Sequence, residues 1–243
     1  TQAVRRQRQM CIRDRKVRMK ELEINHLKIR LYTPKKADAL FYILKPEDVR
    51  DNASELMEKY GIALACIEGF DWNHDLCPWA APAVFKGEED FSGGGDDFLE
   101  ILKKKVLPAV ESESGYTGEK RYMAGISLAG MFSLYSLYKT DLFHGAASVS
   151  GSLWFDGFLE FMKNNQISKQ AEKVYLSLGD KEKKARNPRM AKVEEYTLET
   201  EKLLSAKGIR TVFQLNRGNH FSDGEERIKK AVHWMMTGES AEI

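Results

Sequence analysis

The sequence of 243 residues has few cysteines and no long apolar segment, and each of these absences excludes a class of protein. Its three cysteines, Cys11, Cys66 and Cys77, are too few for a disulfide framework and are typical of a reducing compartment. No apolar run approaches the roughly 20 residues that a membrane-spanning helix requires, and the start shows no apolar signal segment. We therefore expect a cytoplasmic protein without a membrane partner.

A basic surface is also absent once the first residues are set apart. Residues 1–18 carry seven Lys and Arg residues, and the rest of the chain has 31 basic and 35 acidic residues. A net charge of −4 on that remainder does not favour a nucleic-acid partner. The segment 5–15, RRQRQMCIRDR, resembles one reading frame of a transposon-type sequencing adapter. We therefore predict a non-native or disordered tail at 1–18, a native start near Met19 and a single domain at 19–243.

Strand-like and helix-like patterns alternate along the predicted domain. Alternation of polar and apolar residues predicts one strand over 21–32. Further strands are predicted at 39–46, 61–69, 121–126, 144–151, 173–180 and 209–216, and helices at 51–60, 96–111, 128–138, 155–164, 189–208 and 223–238. Two early strands followed by repeated strand–helix units predict an α/β fold, with a mostly parallel central sheet and helices on both faces. The spacings leave no room for a large lid.

One strand-to-helix junction has the pattern of a nucleophile elbow. Ser127 follows the strand at 121–126 in the segment GISLAG, which matches G-x-S-x-G except that Ala129 replaces the last glycine. Small neighbours allow the serine a strained backbone and let the helix pack close to the strand. A serine that only caps the helix would give the same pattern, so this motif alone leaves both interpretations open.

Two later strands end in residues that could serve as partners for this serine. A serine hydroxyl needs a base to become nucleophilic, and the base needs an orienting carboxylate. Asp180 and Glu182 follow KVYLSLG, residues 173–179, and His220 follows the strand at 209–216. The order serine, acid, histidine is the one that accompanies nucleophile elbows, and ligands of such sheets bind at the carboxyl ends of strands. Either acid can be the third member.

The segments GISLAG, SLGDKE, GNHF and DWNHDLCPW together resemble an esterase family of α/β hydrolases over roughly residues 19–238. This family includes enterobactin-type siderophore esterases and feruloyl or acetyl-xylan esterase domains, and the likeness is strongest to small, lidless bacterial members. The resemblance implies the α/β-hydrolase fold, a small-molecule ester substrate and no cofactor. It implies that Ser127 forms an acyl-enzyme, that His220 is the base and that Glu182 is the acid, with Asp180 as the alternative.

The resemblance also implies an oxyanion hole and a substrate pocket. Leu128 follows the nucleophile and is expected to supply one amide donor, and Phe70 or Asp71 the other. Aromatic residues that line this pocket, or alternatively belong to the core, are Trp72, Trp79 and Trp154. The charged residues of EERIKK, 225–230, are expected on a solvated helix face. Structural roles are expected for His26, His144 and His233.

Other interpretations of the same residues stay open. The same three groups would serve a thioesterase or an acyltransferase, and a decayed site would leave a non-catalytic binding protein with this fold. A peptidase is disfavoured because the chain has no propeller or lid domain. The loop residues Asp71, His74, Asp75 and Cys77 match no closed zinc pattern, so no metal is expected.

Overall fold

The computed structural model describes residues 18–44 and 52–240. The predicted tail therefore lies outside the described residues, except for Arg18, which begins the first strand. The strands are β1 (Arg18–Ile24), β2 (Leu27–Thr33), β3 (Ala39–Leu44), β4 (Ile62–Glu68), β5 (Ala80–Ala81), β6 (Phe91–Ser92), β7 (Arg121–Ile126), β8 (Gly145–Val149), β9 (Lys173–Gly179) and β10 (Arg210–Asn216). The helices are α1 (Ala53–Tyr60), α2 (Gly95–Ile101), α3 (Leu107–Ser114), α4 (Leu128–Lys139), α5 (Phe158–Asn164), α6 (Val193–Ala206) and α7 (Gly224–Thr237).

Eight strands form the central sheet in the order β1-β2-β4-β3-β7-β8-β9-β10. The strands from β4 to β10 in this order pair in parallel, while β2 pairs in antiparallel fashion with both β1 and β4. This confirms the predicted α/β fold with a mostly parallel sheet. The short strands β5 and β6 form a separate hairpin between β4 and α2.

Two apolar cores cover the two faces of the sheet. Side chains of β3 alternate between them: Leu40 and Tyr42 face one core, whereas Phe41 and Ile43 face the other. Helices α2 to α6 pack on the first face, and α1 and α7 pack on the second. Because buried strands of a parallel sheet are covered on both faces, they have the continuous apolar sequences that predicted them. None of the helices within residues 18–44 and 52–240 combines the length and apolar character needed to cross a bilayer.

The strand predicted over 21–32 is in fact a hairpin of β1 and β2. Its turn is at Asn25 and His26, and Asn25 has a left-handed backbone with φ of 59°. Asparagine tolerates this conformation better than most residues. The polar and apolar alternation shifts by one residue at this turn, because Ile24 and Leu27 pair across the hairpin and lie on the same face. Two consecutive polar residues, Asn25 and His26, therefore marked the reversal that the prediction of one strand missed.

Candidate active site

Ser127 lies between β7 and α4 with a strained backbone, at φ 62° and ψ −126°. This conformation is rare for a residue other than glycine and is typical of functional sites. The two elements approach so closely that a Cβ at Gly125 would lie 2.6 Å from the Cβ of Ala129. The backbone is held because the Ser127 amide donates to Val149 and its carbonyl accepts from the amide of Ser152. The junction therefore has the geometry of the predicted elbow.

Three side chains from three loops form a continuous hydrogen-bonded row. Nε2 of His220 lies 3.1 Å from Oγ of Ser127. Nδ1 of the same ring lies 2.9 Å from Oε2 of Glu182. The three loops follow β7, β9 and β10, and the carboxyl ends of parallel strands meet at one edge of the sheet. The fold thus brings together the serine, the histidine and one of the two predicted acids.

Glu182 is buried at the start of a 3₁₀ turn, Glu182–Lys184, and is 7% exposed. Its Oε1 accepts hydrogen bonds from the Ser150 hydroxyl at 2.7 Å and from the Gly179 amide at 2.6 Å. Burial acts to raise the pKa of Glu182, but the hydrogen bonds from His220, Gly179 and Ser150 outweigh it and hold this pKa below its ordinary value. The side chain is therefore an anion at neutral pH, fixed by several donors.

Asp180, the alternative acid, is directed elsewhere. Its Oδ1 accepts a hydrogen bond from the Gly218 amide at 2.9 Å, and its own amide donates to the carbonyl of Asn216. These bonds join the end of β9 to the loop that follows β10. Asp180 thus supports the loop that carries His220, whereas the carboxylate beside the imidazole is that of Glu182.

Sequence reasoning missed the buried cation behind Glu182. Arg227, within the predicted solvated segment EERIKK, is 1% exposed, so the prediction of a solvated face is wrong at this residue. Its Nη1 donates to the Ser150 hydroxyl at 2.7 Å and to Oε1 of Glu182 at 3.2 Å. Helical spacing places Arg227 on the same buried side of α7 as Ile228 and Ala231. This spacing is the feature of the sequence that could have indicated a buried arginine.

Two of the residues predicted for an oxyanion hole, Leu128 and Asp71, line the same cleft as Ser127. Leu128 begins α4 directly after Ser127. The Asp71 amide, however, donates to Oδ2 of Asp75 at 2.8 Å, so this N–H is already engaged. Of the two expected second donors, Phe70 therefore fits better than Asp71.

An open cleft of about 1110 Å³ contains Ser127 and His220. Trp72 and Trp154 line it, as predicted. Trp79 does not border this cleft: its indole N–H donates to the carbonyl of Asp156, and its ring packs against two phenylalanines, Phe155 and Phe161. The cleft therefore has two of the three predicted tryptophans in its wall.

Two exposed phenylalanines border the same cleft. Phe85 is 51% exposed and Phe221 is 90% exposed, and both contribute to its lining. The Phe221 ring meets the His220 ring edge to face, with centroids 5.2 Å apart. Large apolar side chains left in solvent beside a cleft are typical of binding surfaces.

A family model described as "Putative esterase" matches residues 52–221. The chain belongs to this esterase family. The matched segment includes Ser127, Glu182 and His220, and it covers more than half of the chain. The family resemblance of the sequence motifs is thereby confirmed.

The chain is also similar to individual proteins, one compared in sequence and two compared in fold. The uncharacterized protein YbbA of Bacillus subtilis is 26% identical over 137 residues, which are 55% of this chain and 55% of that protein. The matched part thus spans about half the length of this curated relative. An IroE-like serine hydrolase from Shewanella oneidensis superposes with a TM-score of 0.75 and 17% identity, over 93% of this chain and 82% of the other. The enterobactin esterase of Shigella flexneri gives 0.69 and 15%, over 92% and 61%.

The acidic loop before the β5–β6 hairpin is held by its own hydrogen bonds. Oδ1 of Asp71 accepts from the amides of Asn73 and His74, and Nδ1 of His74 lies 2.8 Å from the Ser92 hydroxyl. Burial raises the pKa of the Cys77 thiol to about 12, which disfavours the thiolate. Within the described part of the chain, no group of three or more His, Cys, Asp or Glu side chains has the arrangement of a metal site.

The remaining predicted histidines lie away from the cleft that contains Ser127. His233 on α7 pairs through Nδ1 with the Tyr60 hydroxyl at 2.9 Å. His144 precedes β8 and is buried, and this burial lowers its pKa. His26 is exposed in the β1–β2 turn. None of the three is among the residues that line the cleft described above.

Proposed function

We propose that the protein is a serine carboxylic-ester hydrolase that forms an acyl-enzyme on Ser127. This proposal rests on a chain of two hydrogen bonds through His220. Its Nε2 lies 3.1 Å from Oγ of Ser127, and its Nδ1 lies 2.9 Å from Oε2 of Glu182. A hydroxyl, a base and an orienting carboxylate in this sequence form the arrangement that activates a serine. Family membership supports the same class of reaction.

The acylation step follows from the atoms in contact. Oγ of Ser127 attacks the ester carbonyl carbon while Nε2 of His220 takes the hydroxyl proton. The carbonyl oxygen becomes an oxyanion, for which the amides of Leu128 and Phe70 are the proposed donors. The intermediate collapses when the C–O bond to the alcohol breaks, and the alcohol leaves with the proton from His220.

Deacylation uses the same groups in reverse. A water molecule loses a proton to His220 and attacks the acyl carbon, and the bond to Oγ of Ser127 then breaks as the serine regains a proton. Glu182 keeps its charge throughout and stabilises the imidazolium that forms in each half-reaction. The hydrogen bonds that lower the pKa of Glu182 support this constant charge.

The shape of the cleft favours substrates with an apolar group. Trp72 in the wall and Phe85 and Phe221 at the rim offer aromatic surface in the cleft that contains Ser127, whereas Trp154 is 7% exposed and offers little. Such surface contributes roughly 25 cal/mol for each Å² of apolar area that a ligand buries. We infer that esters with a bulky apolar acyl or alcohol group bind better than acetates of small alcohols.

The test is covalent labelling with a fluorophosphonate, followed by intact mass measurement. Such probes react with a hydroxyl that neighbouring groups make nucleophilic. We expect a single adduct on the wild type and none on Ser127→Ala or His220→Ala. Absence of an adduct on the folded wild type would overturn the proposal and favour a binding protein.

Turnover then separates the esterase from other users of the same three groups. Oxygen esters and thioesters with the same acyl group should be compared, each with and without an added acceptor alcohol. We expect release of free acid from the oxygen ester in both conditions. A clear preference for the thioester would indicate a thioesterase, and transfer to the alcohol would indicate an acyltransferase.

A further inference from the structure

Arg227 is a buried charge that the reaction scheme above does not use. It lies in the first turn of α7 and is 1% exposed. Removing a guanidinium from water costs several kcal/mol, so a buried arginine persists only where hydrogen bonds and an opposite charge offset that cost. The identity of those partners indicates what the side chain does.

The two Nη atoms of Arg227 contact two different parts of the site. Nη1 donates to Oε1 of Glu182 and to the hydroxyl of Ser150, as described above. Nη2 donates to the carbonyl of Arg217 at 3.2 Å and to that of Asn219 at 3.0 Å. Both carbonyls belong to the loop that carries His220. One planar guanidinium thus joins the carboxylate to the backbone beside the imidazole.

Gly179 provides the space that this contact requires. A Cβ at Gly179 would lie 2.8 Å from Nη2 of Arg227 and 2.3 Å from the carbonyl oxygen of Gly218. Gly218 has φ of 103°, a conformation that side chains rarely adopt, and it shapes the loop whose carbonyls Nη2 contacts. The end of β9 therefore leaves room for the guanidinium beside this loop.

We propose that Arg227 is a positioning residue of the esterase, which fixes Glu182 relative to the loop of His220. This inference rests on the proposed function, because it concerns the base that activates Ser127. The arginine does not lie among the residues that line the cleft. It acts only through Glu182 and the His220 loop.

Arg227 first fixes the orientation of the carboxylate. Oε1 of Glu182 accepts from Ser150, Gly179 and Arg227, so Oε2 is left for the imidazole. Rotation of the carboxylate would break charge-assisted hydrogen bonds, which are stronger than neutral ones. The imidazole is thereby held with Nε2 toward Ser127.

Arg227 also fixes the position of the loop. Asn219 immediately precedes His220, so the bond from Nη2 to its carbonyl restrains the histidine backbone. Displacement of a catalytic group by about 1 Å can lower the rate by about 10²-fold. A restraint at this carbonyl therefore bears directly on the distance between Nε2 and Oγ.

The first experiment compares Arg227→Met and Arg227→Lys with a matched control, Arg121→Met. Arg121 pairs with Glu111 at the opposite end of β7 from Ser127, with Nε 2.6 Å from Oε1. Fluorophosphonate titration counts the reactive sites, and kcat is expressed per titrated site. We expect Arg227→Met to lower this kcat by about 10- to 100-fold, typical for a partner of a functional group, with KM changed less than about threefold.

The conservative variant separates charge from geometry. Lysine retains the positive charge but has no planar fork, so it cannot contact Glu182 and the two carbonyls together. We expect Arg227→Lys to recover part of the kcat that Arg227→Met loses. Arg121→Met should keep kcat per titrated site within about twofold of the wild type. A kcat per site equal to wild type in Arg227→Met would overturn the proposal, because a merely structural role changes only the number of folded sites.

A double-mutant cycle with Glu182→Gln tests whether the arginine acts through the acid. The double variant Arg227→Met/Glu182→Gln contains neither buried charge, so it also serves if Arg227→Met alone fails to fold. We expect its kcat per site to lie within about threefold of that of Glu182→Gln. If the two single losses multiply, so that the double variant falls 10-fold or more below Glu182→Gln, Arg227 does not act through Glu182, and the proposal that it fixes this carboxylate relative to the loop is wrong.

The two proposals fail in different ways. A wild type without an adduct on Ser127 contradicts the esterase proposal itself. A labelled, active wild type whose Arg227→Met variant keeps full kcat per site contradicts only the positioning role.

Discussion

Glu182 and His220 are 38 residues apart in the sequence, yet Oε2 of the one lies 2.9 Å from Nδ1 of the other. The neighbouring carboxylate of Asp180 bonds the Gly218 amide instead. The structure therefore assigns different contacts to two acids that the sequence places side by side. This difference leads to the first prediction.

We predict that Glu182→Gln lowers kcat by about 10²- to 10⁴-fold, as expected when the orienting carboxylate of a serine hydrolase loses its charge. Asp180→Asn should keep kcat within about fivefold, because its carboxylate contacts a backbone amide and not the imidazole. Steady-state hydrolysis of a chromogenic ester checks both variants. Nearly full activity in both would indicate a serine–histidine dyad instead.

The stability of the protein should depend on pH through Glu182. Its pKa in the folded state lies below the ordinary value of 4.5, because hydrogen bonds to the anion outweigh the effect of burial. The anion therefore stabilises the fold fully above about pH 4.5, and this contribution disappears as the pH falls through the folded-state pKa. Urea unfolding between pH 3 and 7 should show a difference between wild type and Glu182→Gln that is largest at neutral pH. A difference independent of pH would contradict this assignment.

The elbow at Ser127 should tolerate glycine at position 129 but not alanine at position 125. Ala129→Gly introduces the last glycine of the G-x-S-x-G pattern, and we expect activity within about threefold, at a helix-propensity cost of about 1 kcal/mol. Gly125→Ala would place a Cβ 2.6 Å from the carbonyl carbon and Cβ of Ala129, so we expect loss of stability by about 1–3 kcal/mol or more and loss of activity. Thermal unfolding and fluorophosphonate labelling measure both effects. Equal stability of Gly125→Ala and the wild type would show that this contact is not tight.

Phe221 should affect substrate preference without affecting stability. Its side chain is 90% exposed, so Phe221→Ala should change the free energy of unfolding by less than about 0.5 kcal/mol. Loss of its apolar surface should raise KM for bulky apolar esters by about three- to tenfold, with little change for a small acetate. Leu198→Ala, an exposed residue on α6, is the control. Equal changes for both substrates would indicate an effect on His220 rather than on binding.

Most of the fold could be read from the sequence because buried parallel strands are continuous apolar runs. The segment RYMAGI corresponds to β7 residue by residue, and the strand predicted at 173–180 is β9 with one residue fewer. The hairpin at Asn25 was missed, although the apolar positions shift from even to odd numbers across its two polar turn residues. The sequence also could not show that Trp154 lines the cleft and Trp79 does not. Both are apolar residues in loops, and only the packing of the folded chain places one of the two rings at the cleft.

The architecture and the order of the candidate groups follow from the amino-acid sequence alone. Periodicity and glycine placement involve only residues that are near each other in the chain. Short segments of sequence were therefore enough to predict the strands, the elbow at Ser127 and the histidine after β10. The folded protein was needed to show that Glu182 contacts His220 and that Arg227 is buried behind Glu182. These contacts join loops that follow different strands. Their geometry depends on how the sheet aligns those strand ends, and no single segment of the sequence contains that alignment.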